Sequence, residues 1–174
     1  GIGENGEFRH PYNIVRIGTD LYVVDDQRIR KVDKTTGAVS TLVTSGASYN
    51  YIQRITSDGT DIYFVAYVSD GNNSGYKIFK LSTDTGEVSE LELLNENGDS
   101  YSIGSSSIMG LTSDGTSLIV AVSSSTKDFF RISLQTRKVT PYTIDGVSLP
   151  YFNGMEKIGD SLFAVSSNSI YEIE

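Results

Sequence analysis

The sequence predicts an all-β fold, a β-propeller built of four-stranded antiparallel blades, and three observations predict it. Leu21-Tyr22-Val23-Val24 and its neighbours are β-branched, aromatic or aliphatic residues in short runs, with no helix-period stripe. The pattern of Leu21 to Val43, LYVVDDQRIRKVDKTTGAVSTLV, returns three more times along the chain. The equivalent second strands begin at Leu21, Ile62, Leu118 and Leu162, spaced 41, 56 and 44 residues apart. Blades of four strands repeat every ~40–50 residues.

In the first unit, Asn13 to Ile17 is an inner strand, turned by Gly18-Thr19-Asp20 into Leu21 to Val24. Arg28 to Asp33 follows, then the turn Thr35-Thr36-Gly37, where glycine takes the positive φ of a tight hairpin, then Ala38 to Val43. The second unit runs from Tyr51 through turns at Asp58-Gly59-Thr60 and Thr83-Asp84-Thr85-Gly86 to a last strand, Glu87 to Leu94. The third uses Ser107 to Ser113, Leu118 to Ser123, Phe129 to Leu134 and Lys138 to Ile144. The fourth has Gly154 to Ile158, Leu162 to Ser166 and Ser169 to Ile173, and no outer strand. The reading is one propeller over 1–174 with blades at 12–44, 51–94, 107–144 and 152–174, fifteen strands in all. The open last blade calls for a partner strand or for further blades in a longer natural chain, and the second is favoured. The glycine-rich start reads as that of a processed or excised piece.

Phe8-Arg9-His10-Pro11, the run LYVVDDQRIRKVD and the segment TGAVSTL carry a resemblance to the NHL repeat, a propeller blade type, clearest in residues 8–43. The resemblance implies a binding role in general. NHL-like propellers serve as protein-binding modules, as RNA-binding modules with a basic face, and as sugar- or peptide-processing enzymes with metal-binding histidines. This chain has one histidine.

Composition narrows the partners. The net charge is -8 and the isoelectric point is near 4.6. Nucleic-acid phosphates need clustered Lys and Arg, so no nucleic-acid partner is expected. There is no cysteine, hence no disulfide frame or thiolate metal site. No apolar run approaches a membrane span, so no membrane insertion is expected. A composition rich in Ser, Thr, Asn, Asp and Gly suggests a bacterial domain that is secreted, periplasmic or at the cell surface. No cofactor and no metal is expected.

Asp58-Gly59-Thr60-Asp61 and Asp114-Gly115-Thr116 resemble fragments of calcium loops, but neither continues to a bidentate Glu and both fall at hairpins. Asp25-Asp26 likewise reads as a hairpin tip. His10 sits in a loop before a proline. Glu156 and Asp145 could in principle form a carboxylate pair for glycoside hydrolysis. Asn72-Asn73-Ser74 fits the N-glycosylation pattern. Lys31, Lys80 and Arg131, with Glu172 in the fourth repeat, read as a solvated stripe.

Two groups are candidates for ligand binding. Aligning the inner strands places Arg16, Arg54, Gly110 and Lys157 at one position, and three cations at one level could hold an anion. The alternative is that each meets a local acid such as Glu156, or solvent. The rim loops carry Phe8, Tyr12, Tyr49, Tyr51, Tyr101, Tyr151 and Phe152. Tyrosines on a rigid scaffold make recognition surfaces. Tyr51 and Phe152, beside inner strands, are expected to pack between blades, whereas Tyr49 and Tyr101 are open to either role. The expected function is non-catalytic binding of a protein or carbohydrate ligand through Arg16, Arg54, Lys157, Tyr49, Tyr101 and Tyr151. A propeller-type lyase or glycosidase and a structural spacer are the alternatives. The open last blade makes a homo-oligomer a further possibility.

Overall fold

The structure, a computed structural model, describes residues 7–44, 49–69, 74–104, 107–123, 129–142, 152–166 and 168–173. The described residues are all-β and form fifteen strands in four antiparallel sheets, the four blades of a β-propeller. The first sheet is β1 (Pro11–Ile17), β2 (Asp20–Asp25), β3 (Arg28–Asp33) and β4 (Val39–Thr44), in that order. The second is β5 (Asn50–Ser57), β6 (Ile62–Val68), β7 (Gly75–Leu81) and β8 (Val88–Glu90). The third is β9 (Ile108–Ser113), β10 (Ser117–Val122), β11 (Phe129–Ser133) and β12 (Val139–Pro141). The fourth has three strands, β13 (Gly154–Ile158), β14 (Ser161–Val165) and β15 (Ile170–Glu172). The chain forms two compact units, Gly1–Glu90 and Leu91–Glu174, each holding two blades.

Two expected outer strands are cut short, and one of them is β12, which ends at Pro141 with Tyr142 outside it. β8 stops at Glu90 rather than reaching Leu94. Leu94 instead extends the edge of the third sheet: its N–H donates to Arg137 O at 3.0 Å, and Val139 N–H donates to Leu94 O at 2.8 Å. This single residue covers the outer edge of β12, the strand that ends in a proline, which only an edge tolerates.

A turn chemistry recurs between the third and fourth strands of three blades. At its head, Asp33 Oδ1 accepts from Thr35 N and Thr36 N, while Ser82 Oγ accepts from Thr85 N and Ser133 Oγ from Thr136 N. Its left-handed position is Gly37 (φ 71), Gly86 (φ 74) and, in the third blade, Arg137 (φ 61). A side chain there brings Cβ against the next carbonyl, which glycine avoids.

The polar stripe of the third strands is a set of ion pairs. Lys31 reaches Asp20 at 2.7 Å, Lys80 reaches Asp61 at 2.6 Å and Arg131 reaches Asp114 at 2.7 Å. Each ties the third strand to the acid of the blade's first hairpin. The fourth blade inverts the pattern, with the Ser161 hydroxyl donating to Glu172 at 2.6 Å. Surface pairs of this kind contribute little to stability and serve mainly to fix register.

Burial follows the pleat. β6 and β10 are buried on both faces, as strands inside stacked sheets must be. In the first unit Tyr22 and Val24 of the first sheet pack against Ile62, Phe64 and Ala66 of the second. In the second unit Ile119 and Ala121 pack against Leu162 and Ala164. There the inner strands approach closely at Gly110, where an added Cβ would lie 2.7 Å from Met155 Cβ.

Two stability outcomes follow. Arg137→Gly should raise the unfolding free energy by roughly 0.5–1 kcal/mol in urea titration, because strain relief exceeds the entropy that glycine adds to the unfolded chain. Gly110→Ala should lower it by about 1–3 kcal/mol, since backbone-bound Met155 Cβ cannot yield; an unchanged midpoint would contradict the close approach.

Candidate ligand-binding surface

The first blade opens with a buried carboxylate. Asp25 is fully inaccessible, yet its Oδ1 accepts from Arg9 N at 2.6 Å and His10 N at 2.8 Å. Its Oδ2 meets Arg28 at 2.8 Å and Arg30 at 3.4 Å. Burial pushes this carboxyl up, but the N–H groups of His10 and Arg9 and the two guanidiniums outweigh it and hold it below the usual 3.8. Phe8 lies over Arg30, 5.6 Å from ring centre to guanidinium. The Phe8-Arg9-His10-Pro11 segment is therefore pinned to the blade by one acid. His10 contributes its backbone and leaves its side chain exposed.

This anchor delivers Tyr12. A bulge between Pro11 and Asn13 leaves Tyr12 half exposed. Its hydroxyl donates to Ile52 O and lies 3.2 Å from Asp26 O. Burial raises the Tyr12 pKa, opposed by nearby Arg54 and assisted by Asp26. Tyr51 follows the same logic in β5. Register shifts on either side of Ile52 break the ladder, and Tyr51 takes φ 48 with 67% of its surface exposed. The expectation that Tyr51 packs between blades is thus corrected: the bulge turns the ring outward. Beside it, Gln53 Nε2 donates to Tyr76 OH at 3.2 Å, and Tyr76 meets Tyr67 edge to face at 5.3 Å. Gln53 Oε1 is buried with no partner among the described residues.

The expected inner-strand alignment is corrected by register: Arg16 and Lys157 lie opposite the equivalent Leu21 and Leu162, but the residues opposite Ile62 and Leu118 are Ser57 and Ser113, while Arg54 lies opposite Val65 and Gly110 opposite Ala121. Arg16 is exposed, and its Nε donates to Gly18 O at 2.7 Å. Arg54 is half-buried and donates to Gln53 O at 3.0 Å. Lys157, in the other unit, donates from Nζ to Asp160 O. Tyr49 is a core residue: its ring packs on Phe64 and Phe79 at 5.6 and 4.9 Å, so it is closed to a ligand. Tyr101 is half-buried, edge-on to Phe130 at 6.2 Å. Phe152 is fully buried and stacks on Phe129 at 6.0 Å. Tyr151, Asp145 and the asparagines of Asn72-Asn73-Ser74 lie outside the described residues.

The hairpin acids act as turn acceptors. Asp58 Oδ1 takes Thr60 N and Asp61 N, both at 2.8 Å, and Asp114 Oδ1 takes Thr116 N and Ser117 N. Asp58 Oδ2 accepts from Tyr63 OH, and burial together with this acid lifts that phenol well above its ordinary range. Glu156 is pushed up by desolvation, which the Thr112 hydroxyl at 3.5 Å opposes. Among the described residues no three His, Asp or Glu side chains gather as metal ligands.

No known family profile matches the sequence, and no curated protein matches it. Solved structures do. A Bacteroides thetaiotaomicron protein of unknown function is 15% identical with a TM-score of 0.68, covering 99% of this chain and 43% of that one. An extracellular domain from the same organism is 11% identical with a TM-score of 0.64, covering 100% of this chain and 22% of that one. A GH74 xyloglucanase from Xanthomonas campestris is 10% identical with a TM-score of 0.58, covering 88% of this chain and 25% of that one. The chain spans less than half of each of these proteins. At such identities the likeness establishes the propeller fold.

The Asp25 anchor has a pH signature. A carboxyl held below its unfolded value stabilises the fold above pH 3.8, and that contribution is lost as pH falls through the folded value. Asp25→Asn should cost on the order of 2–3 kcal/mol at pH 7. The gap from the wild type should close on acidification below the carboxylate range, as read by chemical denaturation across pH.

Proposed function

We propose that the chain is a non-catalytic binding module of an extracellular protein, with NHL-type blades presenting Tyr12 and Tyr51 to a glycan or protein ligand. One observation carries the reading: Tyr51 keeps an aromatic ring in solvent at the cost of a left-handed backbone. A non-glycine residue in that region costs ~1–3 kcal/mol and persists where the site uses it. Exposed tyrosines give a large, rigid contact area with a polar tip, suited to stacking on a sugar face or a peptide. Arg54 and Gln53, next to Tyr51 along β5, supply polar groups beside the rings. The extracellular placement is supported by the composition and by the extracellular Bacteroides domain that shares the fold.

Affinity electrophoresis through gels containing xyloglucan, polygalacturonate or starch tests it. The wild type should be retarded by at least one polysaccharide, and Tyr51→Gly should lose the retardation while unfolding at the same or a higher temperature. Retardation that survives both Tyr12→Ala and Tyr51→Gly would reject this surface.

A further inference from the structure

The charge of the chain is unevenly spread along it. Through Ser57, where β5 ends, the sequence holds seven of the fourteen Lys and Arg residues but only six of the 22 Asp and Glu residues. The rest of the chain carries the whole of the negative excess. An anionic ligand therefore meets less repulsion at β1 to β5 than at the later strands. Those first strands hold Tyr12 and Tyr51.

Tyr12 stands between two arginines of that region. On one side its hydroxyl lies 3.2 Å from Asp26 O, and the Asp26 carboxylate is 4.0 Å from the Arg9 guanidinium. A pair at that separation is weak, and the Arg9 side chain stays 75% exposed. On the other side the Tyr12 hydroxyl donates to Ile52 O, and the next carbonyl, Gln53 O, accepts from Arg54 Nη1 at 3.0 Å. The Arg54 charge is felt at the Tyr12 phenol, where it opposes the upward push of burial. Tyr51, one residue before Ile52, turns its ring to solvent. Apart from Glu7, the acids of the first blade are already engaged. Asp20 holds Lys31, Asp25 holds Arg28 and Arg30, Asp26 faces Arg9, and Asp33 accepts from the Thr35 and Thr36 N–H groups.

We propose that this surface selects acidic glycans, whose sugar rings stack on Tyr51 and Tyr12 while their carboxylates pair with Arg54 and Arg9. The inference rests on the binding function proposed above and names its ligand class. A guanidinium offers paired N–H donors that match a carboxylate. A tyrosine face takes the apolar side of a sugar ring and leaves its hydroxyl to polar partners. One cation on each side of Tyr12 suits a chain of uronic acids, which carries a carboxylate on every ring. A neutral glycan gains nothing from the charge of either arginine. An acidic peptide brings the charge without a flat ring for Tyr51.

Isothermal titration calorimetry with oligogalacturonate, its fully methyl-esterified form and a xyloglucan oligosaccharide tests this on the whole chain. The acid should bind about tenfold more tightly than its ester. That preference should shrink as NaCl rises from about 0.05 to about 0.5 M. Arg9→Gln, at an exposed side chain, should lower the preference about twofold, and adding Arg54→Gln should bring acid and ester within about twofold of each other. Arg54→Lys in place of Arg54→Gln should restore part of the preference, and Tyr51→Gly should abolish binding of the acid. Equal affinity for acid and ester, or binding of xyloglucan alone, overturns the acid preference and leaves the tyrosine surface standing. Binding of none of the three overturns it together with the glycan-binding reading. A preference that survives the double variant overturns it too, as does poly-glutamate bound as tightly as oligogalacturonate.

Discussion

A sheet that is apolar on both faces has to be covered on both faces, and the rest of this structure depends on that constraint. β6 and β10 are inaccessible along nearly their whole length, so neither of their sheets could stand alone in water. Stacking blade on blade is the solution. It fixes which residues alternate inward, and it demands short hairpins. The tight turns serve the same end. A side-chain acceptor at Asp33, Ser82 or Ser133 closes the link between third and fourth strands with few residues.

The candidate surface arises where this regularity is broken. Bulges beside Tyr12 and Tyr51 free two rings from the ladder, and Asp25 supplies the rigidity that makes those positions definite. A buried carboxylate with two N–H donors and two guanidiniums is costly to desolvate. Fully satisfied, it fixes one arrangement of the segment that carries Tyr12. Scaffold and surface are thus linked through the first hairpin.

Period and turn residues in the sequence make the architecture readable. Leu21, Ile62, Leu118 and Leu162 mark each blade, and Arg28 to Asp33 and Gly154 to Ile158 are bounded by unmistakable turns, so their strands are placed residue for residue. The site was less legible. Glu87 to Leu94 alternates well enough for a strand, yet Leu94 pairs elsewhere, because pairing partners are a tertiary choice. Tyr49 and Tyr51 are two residues apart, which on a regular strand means one face. The positive φ at Tyr51 sends one ring to the core and the other to solvent. Nothing in the local sequence announces such a bulge at a tyrosine. Asp25 read as a hairpin tip, because the two backbone N–H groups that bind it come from residues fifteen and sixteen positions earlier.

Amide hydrogen exchange, strand by strand, tests the central claim that coverage by neighbouring blades sets local stability. At low protein concentration the account predicts slowest exchange in β6 and β10 and fastest in β15, whose blade carries the exposed Val165 and Ile170. Uniform protection across all four sheets, or β15 as protected as β10, would contradict it.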